Sequence, residues 1–400
     1  MAGKISTNIP TICARSPRDL KNTKPHQLPI YASSTFEFDS IEDSIEAFQK
    51  QPHNYVYTRY GNPTIDAVAQ KIAHLESLDA TGLLCSSGMA AIHIPMISLL
   101  KAGDAVLTQP ILYGGTVELF EKVLRPQGIH FIYADMEDEN SLRDLISKNK
   151  NIKLNYVETP CNPTLACIDI GKLKNLRDEF KIKLIVDNTF STPYNQKALQ
   201  LGADIVIHST TKFLHGHGVS TGGVIISEDV QLMNELIWPN LKLTGANSNV
   251  MDAWLIHLGL KTLHVRMQRH NENANALAHF LHSHPMVNSV NYPGLKNFVG
   301  HEVAKKQMSG FGAMLSFEVK GSTQQTIQCL NALSMASIAP SLGETETMVL
   351  HPATSSHMKM DPGMRKKYGI SDSLIRVSVG LEDISDIIYD FEQALTSLSQ

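Results

Sequence analysis

The chain has 400 residues, of which 18% are charged and 42% hydrophobic, with a formal net charge of −4. Such a length holds a large domain and a smaller one with a core that needs no cross-links, and the weak negative balance excludes a basic nucleic-acid face or a polybasic membrane anchor. Five scattered cysteines without a C-x-x-C pair exclude a disulfide framework and a zinc ribbon; with no apolar span and no signal-like apolar stretch, the expectation is a cytoplasmic protein that binds neither nucleic acid nor membrane.

Residues 1–60 read as an irregular N-terminal arm, and "KPHQLPIYASSTFEF" (24–38) reads as extended chain outside the core. Such an arm either reaches a neighbouring subunit or wraps locally. Residues 61–255 alternate helical periodicity with seven short apolar runs. These are "TGLLCSS" (81–87), "AVLTQ" (105–109), "IHFIYADM" (129–136), "KLNYVETP" (153–160), "KLIVDNTF" (183–190), "ADIVIHS" (203–209) and "GGVIISE" (222–228). Several are continuously apolar, as parallel strands buried on both faces are, which predicts an α/β domain with a doubly wound, mostly parallel, seven-stranded sheet. Its ligand should lie off the carboxyl ends of the strands. After Trp254 a long helical pattern (253–284) leads into a smaller α+β domain, assigned to residues 256–400. A strand is expected at "AMLSFEV" (313–319), a helix at "STQQTIQCLNALSM" (322–335) and a final helix near 384–397.

The first chemical signal is "CSSGMAAIHIPMISLL" (85–100), where a strand ends and a helix begins. Ser87 is a good N-cap, Gly88 permits close backbone approach, and the exposed amides favour a phosphate. A capped turn with nothing bound would look the same. No G-x-G-x-x-G follows the first strand, "GHGVSTGG" (216–223) comes too late, and Gly171-Lys172 lacks the rest of a P-loop.

Asp187 closes the run "LIV" and so stands at the ligand end of the sheet, where a carboxylate is costly unless it meets a cation. Lys212 follows the next run in "HSTTKF" (208–213), beside Ser209 and Thr211. Pyridoxal 5'-phosphate (PLP) would satisfy both: Lys212 forms the Schiff base, and Asp187 keeps the pyridine nitrogen protonated, which makes the ring an electron sink. The hydroxyls of Ser209 and Thr211 would join the amides of Gly88 and Met89 around the phosphate. The plain alternative is an Asp–Lys salt bridge near the surface; the phosphate-type turn favours PLP.

Eight ordered motifs carry a resemblance over essentially the whole chain: "YTRYGNPT" (57–64), "SSGMAAI" (86–92), "YGGT" (113–116), "ETPCNPT" (158–164), "VDNTF" (186–190), "HSTTKF" (208–213), "SLGETETMVLHPATSSH" (341–357) and "IRVSVGLED" (375–383). The chain resembles the PLP-dependent trans-sulfuration enzymes of cysteine and methionine metabolism, a family with a type I aminotransferase-like fold. Its members include cystathionine and methionine γ-lyases, cystathionine γ-synthases and O-acylhomoserine sulfhydrylases. The resemblance implies that Tyr113 stacks on the cofactor and acts on the leaving group, and that Asn162 lies by the ring hydroxyl. It implies that Tyr57 and Arg59 reach the phosphate from a neighbouring subunit, and that Ser341 and Arg376 hold the substrate carboxylate. A site shared in this way implies an obligate homodimer, usually paired into a tetramer.

Subtype markers are mixed. Cystathionine-handling relatives usually carry an acidic residue, an arginine and a glutamate where this chain has Val56, Glu118 and Pro340. Methionine γ-lyases usually have a cysteine at Gly115, whereas "SLGETET" is closer to them and "HPATSSH" leans toward sulfhydrylases. The expected reaction is γ-elimination from a methionine-, homocysteine- or cystathionine-like amino acid, giving 2-oxobutanoate, ammonia and a thiol, because no site for a second amino acid is recognisable. The alternative is γ-replacement on an O-acylhomoserine, as in a cystathionine γ-synthase or a sulfhydrylase. The set Tyr113, Asp187, Lys212 and Arg376 argues against a non-catalytic scaffold. His215 and His217 form an H-x-H without further ligands, so no metal site is expected.

Overall fold

The computed structural model describes residues 8–15, 25–50, 52 and 54–399. The seven apolar runs form one sheet: β1 (Thr81–Cys85), β2 (Ala105–Thr108), β3 (His130–Tyr133), β4 (Ile152–Glu158), β5 (Lys183–Asp187), β6 (Ile205–His208) and β7 (Gly223–Ser227). Their spatial order is β1-β7-β6-β5-β4-β2-β3, and β7 alone runs against its neighbours. The runs are apolar throughout because successive side chains enter different cores. Leu184, Val186, Val206, Val224 and Ile226 join one core; Ile185, Ile205, Ile207 and Ile225 join another on the opposite face.

A second sheet takes β8 (Val287–Asn291), β9 (Met314–Val319), β10 (Ser337–Ile338), β11 (Met348–Leu350) and β12 (Leu374–Ser378) in the order β10-β11-β12-β9-β8. Its neighbours are antiparallel except β10 and β11. The expected helices occupy Thr323–Ala332, opened by a Ser322/Gln325 capping box, and Ile384–Thr396. A helix of 21 residues, Leu263–Ser283, serves both halves. Leu263 and Met267 pack in the core of the larger sheet, while Ala274, Leu277, Ala278 and Leu281 pack against the smaller one.

The N-terminal segment departs from its reading as irregular chain outside the core. It contains α1 (Ile9–Ala14) and α2 (Ile41–Gln49), the latter started by Ser40, whose hydroxyl caps the amide of Asp43. Cys13 and Leu28 are buried in the main core, and Trp254 Nε1 donates to the Leu28 carbonyl at 3.2 Å. The extended stretch is tied to α3 (Pro63–Glu76) through Thr64, whose hydroxyl accepts from Tyr31 N at 3.0 Å and donates to Pro29 O at 2.8 Å. Its backbone polar groups thus find partners in the domain, which allows it to lie against apolar neighbours. Among the described residues no helix is long and apolar enough to cross a membrane.

Candidate active site

The carboxyl ends of β1, β2, β4, β5 and β6 lie along one edge of the sheet. The polar residues expected to bind a ligand follow these ends. β1 passes through Ser86 and Ser87 into α4 (Gly88–Leu99). Ser87 is the N-cap, but its hydroxyl serves the amide of Ala90 at 3.1 Å and leaves those of Gly88 and Met89 to another acceptor. Gly88 is required by the approach of the turn after β6: a Cβ there would lie 2.8 Å from Cβ of Ser209 and 2.9 Å from its Oγ. The amide of Gly222 donates to Thr211 Oγ1 at 3.0 Å, which fixes the same turn.

That turn delivers Lys212. The buried Arg266 guanidinium stabilises the chain just beyond it, donating to the carbonyls of Phe213 at 2.8 Å, Leu214 at 3.4 Å and Gly259 at 2.8 Å. Gly216, at φ +75°, lies against this guanidinium and has no room for a side chain. Lys212 Nζ donates to Ser341 Oγ at 3.1 Å. Burial and then the Arg376 charge push the amine down to about 8, opposed by Glu344.

Asp187 ends β5. Its Oδ1 accepts from Thr189 N at 3.0 Å and Thr189 Oγ1 at 2.6 Å, and its Oδ2 from the Tyr156 hydroxyl at 3.4 Å. Burial holds the carboxyl above its usual range in spite of these bonds. Thr189 Oγ1 also accepts from Ser209 N at 2.9 Å, so the aspartate end of β5 and the lysine-bearing turn share one hydroxyl. The salt bridge considered as the plain alternative is not formed: among the described residues no ion pair joins Asp187 and Lys212.

Arg376 arrives from β12 and is 4% exposed. It donates to Asn162 Oδ1 at 3.1 Å and to the Ser341 carbonyl at 2.8 Å, while its Nε has no partner. Burial lowers it to about 10, opposed by the phenol of Tyr113. Tyr113 is 48% exposed, and its ring lies over Gly115, where a Cβ would fall 2.5 Å from ring Cε1. Lys212, Ser341, Arg376 and Asn162 are therefore joined by hydrogen bonds from segments far apart in the chain, and the Tyr113 amide is tied to the same sheet edge at the end of β4.

Tyr57 and Arg59 are not part of this cluster. Arg59 donates to the Lys242 carbonyl at 2.7 Å and stacks over the rings of Tyr60 and Tyr57, and Tyr57 is 44% exposed. Cys161 is buried, its sulfur 3.2 Å from Thr164 Oγ1, and desolvation pushes the thiol up to about 11, so it is held protonated. His217 Nδ1 donates to the His215 carbonyl at 2.7 Å, and no metal-binding group occurs among the described residues.

Glu158, Thr189 and Tyr156 were not singled out from the sequence. Glu158 ends β4 in register with Asp187, and both of its oxygens accept from Tyr113 N at 3.0 Å. Burial and the Asp187 charge push it up to about 8. Its signal was the one that exposed Asp187, an acid closing an apolar run. Thr189 was legible as a hydroxyl two residues beyond an aspartate, the spacing of a local side-chain turn.

An amine of lowered basicity, a buried acid bonded to no cation, two uncapped helix-start amides beside a serine hydroxyl, and a buried guanidinium bonded only to neutral oxygens are what PLP and an amino-acid substrate call for. The donor set fits the cofactor at each end. Fold and site together define a PLP-dependent enzyme. The profile described as "Cys/Met metabolism PLP-dependent enzyme" matches residues 10–396, and the chain belongs to that family. An L-methionine gamma-lyase of Fusobacterium nucleatum subsp. polymorphum is 44% identical over 373 residues, covering 93% of each chain. An O-succinylhomoserine sulfhydrylase of Pseudomonas aeruginosa is 37% identical over 402 residues, covering 99% of this chain and 98% of the relative. The crystal structure of cystathionine gamma synthase from Xanthomonas oryzae pv. oryzae in complex with aminoacrylate and cysteine superposes with a TM-score of 0.91 at 35% identity, covering 98% of both chains.

Proposed function

We propose that the protein catalyses γ-elimination from an L-methionine-like thioether amino acid, releasing 2-oxobutanoate, ammonia and a thiol. The observation that carries this reading is the charge beyond Tyr113. In α5 (Gly114–Leu119) the next charged side chain is Glu118, bonded to Lys359 at 2.6 Å and to Lys122 at 3.1 Å. Arg376 supplies a clamp for one carboxylate, and Lys359 and Lys122 are already paired with Glu118, so this segment offers the second carboxylate of cystathionine no free cation. The relatives named L-methionine gamma-lyase support the same reading.

Bound through Lys212, the cofactor supplies the electron sink for the charge left when Cα loses its proton. Asp187, oriented by Thr189 and Tyr156, holds the proton on the ring nitrogen. The Lys212 amine, freed when the substrate's amine takes its place on the cofactor, would take the Cα proton and then reach Cβ; its burial, which disfavours the charged form, suits it to that role. Arg376, fixed by Asn162 and the Ser341 carbonyl, grips the carboxylate and orients the Cα–H bond, and the Ser341 hydroxyl steadies the lysine. The Tyr113 phenol delivers a proton to the leaving sulfur. Gly88, Met89, Ser209 and Thr211 would hold the phosphate, and Asn162 would stand by the ring hydroxyl.

Tyr57 and Arg59 complete the phosphate site of a neighbouring subunit, in a cytoplasmic homodimer paired into a tetramer. Their separation from their own chain's Lys212 cluster supports that assignment. The second reading, γ-replacement by sulfide on an O-acylhomoserine, uses the same residues; the half-exposed Tyr113 ring, which leaves its side of the site open to a small thiol, favours it. The deciding experiment measures 2-oxobutanoate from L-methionine, L-homocysteine, L-cystathionine and O-acylhomoserines, each with and without sulfide. Fast keto-acid release from methionine without added thiol is expected. Homocysteine formed only from an acylhomoserine plus sulfide would overturn the elimination reading.

A further inference from the structure

Tyr113 has few constraints of its own. It sits at the start of α5, a helix of six residues, without a side-chain cap, and is followed by Gly114 and Gly115. Both glycines mark close approach, since a Cβ at Gly114 would lie 2.5 Å from the Ser356 carbonyl oxygen and one at Gly115 2.5 Å from the Tyr113 ring, so neither supplies a side chain to hold the phenol end. Among the described residues the phenol oxygen makes no hydrogen bond, and half the ring faces solvent. A ring so placed would sample many positions, yet proton delivery to a leaving group requires one of them.

The constraint comes from Glu158. Its carboxyl is buried and receives the Tyr113 amide on both oxygens at 3.0 Å and Thr116 Oγ1 at 3.3 Å. Glu158 is itself immobilised: Gln109, just past β2, accepts its amide at 2.9 Å and donates to its carbonyl at 3.2 Å. Its neighbour in register on β5 is Asp187. Two acids side by side in a dry site are expensive, and a buried polar group without a partner would be more so. The two differ in what they hold. Asp187 is bonded to Thr189 and Tyr156, whereas the side-chain bonds of Glu158 all lead to the segment that carries Tyr113.

We propose that Glu158 is the positioning residue for Tyr113, anchoring the tyrosine-bearing loop to the strand beside Asp187 so that the phenol keeps its place over the reacting side chain. Glu158 touches neither substrate nor cofactor in this scheme. It fixes the backbone from which the ring projects and ties the substrate-side group to the cofactor-side sheet edge. The inference rests on Tyr113 acting at the leaving group, as in the reading above.

The test is a double-mutant cycle of Glu158→Gln and Tyr113→Phe, with PLP content and the visible absorbance of the bound cofactor recorded for each variant. Glu158→Gln keeps the volume but cannot accept the Tyr113 amide on two oxygens. It should retain PLP and its absorbance while kcat falls about 10- to 100-fold, the cost of a misplaced catalytic group, with KM moving much less. In the Tyr113→Phe background the same change should add less than about threefold, because the phenol it positions is gone. Multiplicative losses in the double variant, or loss of bound PLP in Glu158→Gln, would overturn the proposal. If Glu158→Gln does not fold, Glu158→Asp runs the same cycle with the same two outcomes. The cycle is measured on whichever substrate the wild-type protein turns over, so a protein inactive on methionine but active on an acylhomoserine with sulfide would refute elimination and still test Glu158.

Discussion

Lys212 Nζ lies 3.1 Å from the hydroxyl of Ser341, and the carbonyl of that serine receives the Arg376 guanidinium at 2.8 Å. One residue thereby links the amine that is to carry the cofactor with the group that is to hold the substrate. Replacing Lys212 with alanine leaves Ser341 and Arg376 in place but removes both the covalent anchor and the proton acceptor. The expected outcome is complete loss of 2-oxobutanoate release at any PLP concentration, with no visible absorbance retained after dialysis. Substantial residual γ-chemistry would show that the lysine has been misassigned.

Arg376 is buried, and its Nε is left without a partner by Asn162 and Ser341. Lysine at this position would keep the charge and lose the planar fork. For Arg376→Lys, kcat/KM is expected to fall about 10- to 100-fold, the worth of one charge-assisted hydrogen bond, mostly through KM. Methionine amide, which lacks the carboxylate, should be turned over equally by both proteins. A loss of the same size with the amide would place Arg376 elsewhere in the reaction.

With PLP removed, burial holds Lys212 at about 8 against an ordinary 10.5, so the folded chain binds that proton more weakly than the unfolded one. The resulting destabilisation is present below about pH 8 and is relieved as pH rises toward 10.5. Lys71, also lowered to about 8 by burial, contributes a slope of the same sign. The buried thiols of Cys13, Cys85, Cys161, Cys167 and Cys329 are pushed up by burial and give a slope of the opposite sign from about pH 9, so the lysine is read from the difference in urea midpoint between Lys212→Ala and the wild-type cofactor-free protein, which should shrink as pH rises from about 8 toward 10.5. An identical slope in wild type and variant would contradict the burial of the amine.

Gly88→Ala would place a methyl group 2.8 Å from Cβ of Ser209. Because the contacts are Cβ, Oγ and the backbone Cα of Ser209, with no long side chain to swing away, the turn must open, at a cost of about 1–3 kcal/mol. If that cost falls on the phosphate-holding geometry, PLP affinity drops about 5- to 100-fold. Equilibrium dialysis of the cofactor reads this directly; unchanged affinity would show that the phosphate sits elsewhere.

The larger sheet was legible because burial on both faces leaves no polar alternation, and Asp187 and Lys212 stood out as charges closing such runs. Arg376, Ser341 and Asn162 carried no comparable local signal. They meet Lys212 through contacts between segments more than a hundred residues apart in sequence, and only their resemblance to family motifs marked them. In the arm, the Ser40 cap that starts α2 was present in the sequence. The burial of Cys13 was not, since it depends on α1 lying against α3. Glu158 carries the same local signal as Asp187, an acid closing a mostly apolar run, one strand earlier.

The helix Leu263–Ser283 has a consequence for the kind of molecule the pocket can process. Near its start Arg266 grips the carbonyls of Phe213 and Leu214, directly behind Lys212. One turn on, His270 Nδ1 donates to the Val379 carbonyl at 2.7 Å, and a turn further Asn273 donates to that of Gly380 at 3.0 Å, just past the strand that carries Arg376. With the roles proposed for Lys212 and Arg376, the same rod works as a caliper whose jaws are the proton acceptor and the carboxylate clamp. Because a helix of this length does not stretch, the opening between the jaws is constant. Every substrate has to present its α-carbon and carboxylate at that one span, and the choice among substrates is left to whatever hangs from the γ-carbon.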